Sequence, residues 1–171
     1  TINGEIVRSY SANFMFDRKK MLSVQTLLEL IQSAFQERET LGDLFDSLQT
    51  YLEYLAVSNF DIRSHILMEI EILKYAGYAL SLHECIQTGV QSDLLYVSPK
   101  SGCAVSAEVG KQYHDKLLPL PQFLIKDTEY DINDISNAFK LTGYFFKRYI
   151  YVNMEVPGTR QILTDAIKTS K

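Results

Sequence analysis

Residues able to do chemistry are few in this chain, and most of them fall in one stretch. Residues 83–106 hold both cysteines, Cys85 and Cys103, and one of the three histidines, His83. Cys85-x-x-Thr88-Gly89 has the outline of a zinc-knuckle half with one ligand missing. A structural zinc site closes a tetrahedron of four thiolate or imidazole ligands, which one thiolate cannot supply. A substitute set of Cys85, Cys103 and His83 or His114 lacks metal-ligand spacing. An apolar run at 94–97, bounded by turn signals, sits inside the stretch. The segment therefore reads as a metal site, a bare turn or the remnant of a site.

Elsewhere the sequence offers little for catalysis. It contains no G-x-x-x-x-G-K-[ST], no G-x-G-x-x-G after a strand and no G-x-S-x-G. His65, His83 and His114 have no ligand spacing among them, and His65 reads as a surface or half-buried residue. Glu69 and Glu71 are two apart, on different faces of a helix, and make a poor acid/base pair. Nothing local pairs Cys85 with a base, and an enzyme is not expected.

The elements that must position these residues are mostly helices. Apolar residues recur at helical spacing through 17–37, with Asp17 as cap. Arg18, Lys19 and Lys20 crowd its first turn, where the helix dipole disfavours cations; they read as a solvated face or a phosphate-facing patch. A second helix opens at Thr40 with Asp43 three residues on, an approximate capping box. A third, over 62–76, is capped by Asp61 and stopped by Gly77. It is apolar around most of its circumference, which places it centrally. Pro119 and Pro121 exclude a regular helix at 117–121 and predict an extended segment. Asp131 and Asp134 open another helix in capping-box spacing, and Pro157 suits the first turn of a short last one. At 1–11, Asn3-Gly4 precedes a loose alternation that reads as a frayed end or a last strand.

Composition sets the outer bounds. At 171 residues and 46% hydrophobic, the chain can bury one sizeable core. Its net charge of −4 argues against nucleic-acid binding as the main task of the whole surface. Two cysteines make no secreted framework, so a reduced, cytoplasmic compartment is expected. No apolar run approaches a membrane span, and no membrane partner is expected. The chain begins without Met or an apolar leader, and reads as starting within a longer protein.

Several runs together resemble a known family. They are Leu27-Leu28-Glu29-Leu30; Leu44-Phe45; Leu73-Lys74-Tyr75-Ala76-Gly77-Tyr78-Ala79-Leu80-Ser81-Leu82 followed by Cys85; and Thr88-Gly89. The series continues with Asp93-Leu94-Leu95-Tyr96-Val97-Ser98-Pro99-Lys100-Ser101-Gly102, Lys116-Leu117-Leu118-Pro119-Leu120-Pro121 and Leu141-Thr142-Gly143-Tyr144-Phe145. In this order they resemble the helical part of the bacterial RecO recombination mediators, in the alphaproteobacterial style.

The resemblance implies a mainly α fold: a helical bundle with a small irregular zinc-finger-like hairpin lacking its metal ligands. A short strand left from an absent OB-fold would precede it. Residues 1–11 would be that remnant and 12–171 the helical domain, with a degenerate finger-like insert at 83–109. Many members carry two Cys-x-x-Cys pairs; here the four positions read Cys85, Thr88, Ser106 and Val109. No zinc or other cofactor is then expected. Members are similar in activity: they are not enzymes, they anneal single strands, and with RecR they help load RecA on DNA coated by single-strand-binding protein. Expected partners are RecR, the acidic C-terminal tail of that coating protein and single-stranded DNA, the last mainly through the absent OB-fold. Location would be cytoplasmic and nucleoid-associated. Charge and placement nominate Arg18, Lys19 and Lys20 for a phosphate track, and Lys147, Arg148 and Arg160 for the lip of a tail-binding groove. The alternative is an unrelated helical scaffold or interaction domain.

Overall fold

The computed structural model describes residues 14–35 and 41–170. The expected strand at 1–11, the Thr40 cap and the first helix's end near Glu37 lie outside them. Six α-helices and three short strands are formed among the described residues.

Helix α1 (Arg18–Ala34) starts where the Asp17 carboxylate accepts the Lys20 N–H at 3.2 Å, and it buries Val24, Leu27, Leu30 and Ile31. Helix α2 (Gly42–Val57) follows Leu41 with no side-chain cap and buries Leu44, Leu48, Tyr51, Leu52 and Leu55. Helix α3 (Ile62–Tyr75) is capped by Asp61, which accepts the Ser64 N–H at 2.8 Å. Gly77 ends it at φ +97°, a conformation glycine adopts without cost. There the Tyr78 N–H reaches the Leu73 carbonyl at 2.8 Å and the Gly77 N–H the Lys74 carbonyl at 3.0 Å, a complete Schellman closure.

After α3 the chain leaves the helical layer. Strands β1 (Leu94–Val97) and β2 (Ala104–Ser106) form an antiparallel hairpin, with a register irregularity between Leu94 and Tyr96. Its turn closes through Gly102 N–H to the Ser98 carbonyl at 2.8 Å. A third strand, β3 (Leu118–Pro119), pairs with the other edge of β1, giving the order β2-β1-β3. Prolines made that segment extended; its pairing partner was not legible from sequence. Leu94 and Val105 are buried as anchors, while Tyr96 is half-buried over Gly110. The four-residue helix α4 (Ala107–Gly110) and 3-10 turns at Lys111–Lys116 and Gln122–Leu124 complete the insert.

Helix α5 (Ile132–Tyr149) opens with the expected capping box: the Asp134 N–H donates to Asp131 at 3.0 Å and the Asp131 N–H to Asp134 at 2.9 Å. Helix α6 (Gly158–Lys168) begins one residue later than expected, with Pro157 at the cap position. Helix α3 touches α1, α2 and α5, and α6 lies along α1 and α5. One apolar core joins these helices to the sheet through Cys85, Leu94, Val97 and Ala104. No helix among the described residues is long and apolar enough to cross a membrane.

Candidate functional site

The most charged interior feature grows from α3. An apolar helix stripe recurs at i, i+3/i+4 and i+7, and on α3 the stripe through Ile62, Ile66 and Leu73 also carries His65 and Glu69. Both are fully buried, which corrects the expectation of His65 near the surface. His65 Nδ1 lies 2.7 Å from Ser23 Oγ, and Ser23 Oγ 2.6 Å from the Tyr51 hydroxyl. On its other side, His65 Nε2 lies 3.5 Å from Glu69 Oε2. The Thr142 hydroxyl donates to Glu69 Oε1 at 2.7 Å. Arg160 Nε donates to Oε2 at 2.8 Å and Nη2 to Oε1 at 3.0 Å, a two-pronged pairing. Nη2 also donates to the Phe139 carbonyl at 2.8 Å, and the guanidinium lies 5.1 Å over the Phe139 ring.

One polar network thus links α1, α2, α3, α5 and α6. Burial alone would raise the Glu69 carboxyl; the Arg160 charge and the His65 contact override it and hold it well below the usual carboxylate range. Burial pushes the Tyr51 phenol above its ordinary value, against the Ser23 hydrogen bond. An ionised carboxylate already neutralised and closed to solvent has no proton to give at neutral pH and no reach to a substrate. The network is structural. Its signal in the sequence was a glutamate on the core stripe of the most apolar helix, a position that demands a countercharge.

Those contacts also sort the nominated cations. Arg160 is not on a groove lip: its side chain is 11% exposed and tied to Glu69. Gly143 lets it pass, since a Cβ there would stand 2.9 Å from Arg160 Nη1. Lys20 is likewise turned inward, donating from Nζ to the Leu55 carbonyl at 2.7 Å inside the protein. That carbonyl is in the last turn of α2, where a cation complements unpaired C=O groups. Lys147 and Arg148 are exposed; Lys147 Nζ donates to the Met154 carbonyl at 2.7 Å, and Arg148 Nη1 to the Tyr144 hydroxyl at 2.8 Å. Arg18 is exposed and Lys19 half-buried.

Arg18 and Lys19 border a groove of about 720 Å³ at the start of α1. Phe14, Met15, Phe16 and Phe60 also line it, and Phe16 is 96% exposed. Aromatic surface, the two cations and the Asp17 carboxylate therefore share one concavity.

In the insert, Cys85 is 1% exposed and Cys103 half-buried; neither is disulfide-bonded. The Gly89 N–H donates to the Cys85 carbonyl at 2.8 Å, closing a tight turn around the thiol. Burial would raise this thiol. Hydrogen bonds from the Thr88 hydroxyl and from the backbone N–H groups of Ser106, Thr88 and Gln87 outweigh it and bring the thiol down to about 6. Of the four positions named above, Ser106 uses its hydroxyl to accept the Val109 N–H at 3.4 Å, and Val109 has no ligand atom. One thiol, two hydroxyls and an isopropyl do not fit a structural zinc ion. Among the described residues, no three His, Cys, Asp or Glu side chains gather to hold a metal.

Comparison with known proteins gives the chain a family. A family model described as "Recombination protein O C terminal" matches residues 15–154. A DNA repair protein RecO from Orientia tsutsugamushi (strain Ikeda) is 43% identical over 169 residues, covering 98% of this chain and 70% of that protein. One from Rickettsia felis is 41% identical over 164 residues, 95% of this chain and 69% of the relative. One from Rickettsia conorii is 40% identical over 158 residues, 92% and 66%. No solved structure matches. A match of this identity, running through the bundle and its three-stranded insert alike, places the chain in the RecO family of DNA repair and recombination proteins.

Proposed function

We propose that this chain is the helical, partner-binding part of a recombination mediator. It works without bond-breaking chemistry: it helps load RecA on single-stranded DNA together with RecR, and engages the acidic tail of single-strand-binding protein. The observation that carries the tail assignment is the groove at the start of α1. A peptide ending in apolar side chains and carboxylates needs an aromatic wall and adjacent cations, and Phe14, Phe16 and Phe60 stand there with Arg18 and Lys19. The nominated lip at Lys147, Arg148 and Arg160 loses Arg160 to Glu69, which favours the α1 groove. Fluorescence anisotropy with a labelled tail peptide tests this. Reversing both cations, R18E with K19E, should weaken binding about tenfold or more. The pair K147E with R148E should leave it within about twofold. The reverse pattern would move the site to the end of α5, and no binding by either chain would remove the tail from the proposal.

Strand annealing and most DNA contact belong to an N-terminal OB-fold in this reading, in a cytoplasmic, nucleoid-associated protein. With a net charge of −4, this chain alone should bind single-stranded DNA only at micromolar concentration or weaker at 50 mM salt.

The insert is proposed as a zinc-finger remnant that folds without metal, its loop held by apolar packing and by N–H groups aimed at one sulfur. The pH dependence follows from the sign of the Cys85 shift. A thiol held near 6 when folded, against about 8.5 unfolded, adds stability that is full above the unfolded value and lost as pH falls toward 6. Cys85→Ser should therefore cost about 1–2 kcal/mol at pH 6, with the gap to the parent widening up to pH 8.5. Urea unfolding at several pH values reads this directly. A gap that stays flat with pH refutes the thiolate, and stoichiometric zinc in the purified protein refutes the metal-free remnant.

A further inference from the structure

Where α3 gives way to the insert, aromatic rings are stacked, from buried Phe145 through half-buried Tyr149 to exposed Tyr78. Tyr78 and Tyr149 lie ring on ring, their centroids 4.2 Å apart and the planes 9° from parallel. Phe145 continues the column, 6.3 Å from Tyr149 and 11° from parallel. Tyr78 is 36% exposed. A pocket of about 170 Å³ opens beside it, lined by Gly77, Leu80, Gly102, Phe145 and Tyr149 among others. At Gly77 an added Cβ would meet nothing within 4 Å, so the backbone there faces free space.

One cation lies against this stack. The Arg148 guanidinium lies 5.5 Å over the Tyr149 ring and is steadied by its hydrogen bond to Tyr144. Lys74, exposed in the last turn of α3, is directed to a different ring, its Nζ 5.6 Å over Tyr75. Lys100 is exposed beside Ser101 of the pocket wall. The pocket has room for one flat ring, and it is far too small for a helix. An exposed tyrosine at the end of a ring stack, with the Arg148 guanidinium against the same stack, matches what a single strand offers: bases to stack and phosphates to neutralise.

We propose that the Tyr78–Tyr149 column is a base-stacking platform for single-stranded nucleic acid, with Arg148 and Lys100 placed for the flanking phosphates. The proposal rests on the reading of the chain as a recombination mediator and names a contact within the helical domain, apart from any OB-fold and from the tail groove at α1.

The test uses the whole chain, a fluorescein-labelled dT15 strand at low salt, and the same strand made abasic throughout. The parent should bind the strand with bases at least about tenfold more tightly than the abasic one, since stacking adds to charge. Tyr78→Ala should weaken binding to dT15 about tenfold and barely change the abasic strand, while Tyr78→Phe keeps the parent's affinity. Circular dichroism at the helix bands checks that Tyr78→Ala stays folded, and Tyr149→Ala is the second variant if it does not. Equal binding of dT15 by Tyr78→Ala and parent overturns the platform, as does a parent that binds neither strand. Loss of tail-peptide binding with unchanged DNA binding overturns it in favour of a peptide site. In the first two cases, retained tail-peptide binding shows that the mediator reading survives.

Discussion

Replacing Arg160 by alanine should lower the free energy of unfolding by about 3–5 kcal/mol, a large part of what a domain of this size holds. Glu69 is fully buried, and Arg160 gives it two of its hydrogen bonds and a full positive charge at 2.8 Å. The substitution leaves a carboxylate in a closed interior, with His65 at 3.5 Å and the Thr142 hydroxyl as its remaining partners. The cost comes from the stranded charge more than from the lost contact, so removing both charges should recover most of it. Glu69→Leu with Arg160→Met is expected within about 2 kcal/mol of the parent, since a buried ion pair gains little over well-packed apolar side chains. Chemical denaturation of the single and double variants measures this; a loss under about 1 kcal/mol for Arg160→Ala would mean that the Glu69 site admits water. The pH sign also follows. A carboxyl held below its ordinary value contributes stability above the unfolded value, about 4.3, and loses it as pH falls through the folded one. The parent should therefore lose stability below pH 5 faster than the double variant.

Gly110→Ala should destabilise the domain by about 1–3 kcal/mol, although it places a better helix former in α4. The backbone at Gly110 is ordinary for any residue, with φ −79°. The obstacle is space. An added Cβ would stand 2.7 Å from Tyr96 Cε2, closer still to Cδ2, and 3.1 Å from Leu117 Cδ1. Tyr96 is on β1, the central strand of the sheet, so its ring cannot retreat without moving the hairpin. A second change that empties the space, Tyr96→Ala, should make Gly110→Ala nearly neutral, and a double-mutant cycle reads the coupling. A Gly110→Ala domain as stable as the parent would place the Tyr96 ring elsewhere.

Much of this was legible because it depends on neighbours in sequence. The Asp17, Asp61 and Asp131 caps, the Gly77 stop and the 94–97 strand are each set within four or five residues, and they formed where expected. The positions of Arg160, Lys20 and His65 were not legible, because each is decided by a partner far along the chain. Arg160 meets Glu69 across 91 residues, and Lys20 meets Leu55 across 35. Counted by charge alone, both cations belonged on the surface. Glu69 carried the missing clue, since a carboxylate on the core stripe of α3 is untenable without a cation, but the sequence does not say which cation arrives. Pairing of β3 with β1 was hidden for the same reason: prolines fix an extended backbone and leave its neighbour unspecified. The aromatic column at Tyr78 joins the end of α3 to the end of α5, and no local pattern announces it.

The Glu69–Arg160 bond also sets an order in time. Chains are made from the N-terminus, so α1, α2, α3 and α5 all emerge before residue 160 exists. Until then the bundle has a carboxylate at its centre and no guanidinium to meet it. A nascent chain ending before α6 should stay open to proteases, and the arrival of α6, more than completion of the rest of the apolar core, becomes the event that closes the domain.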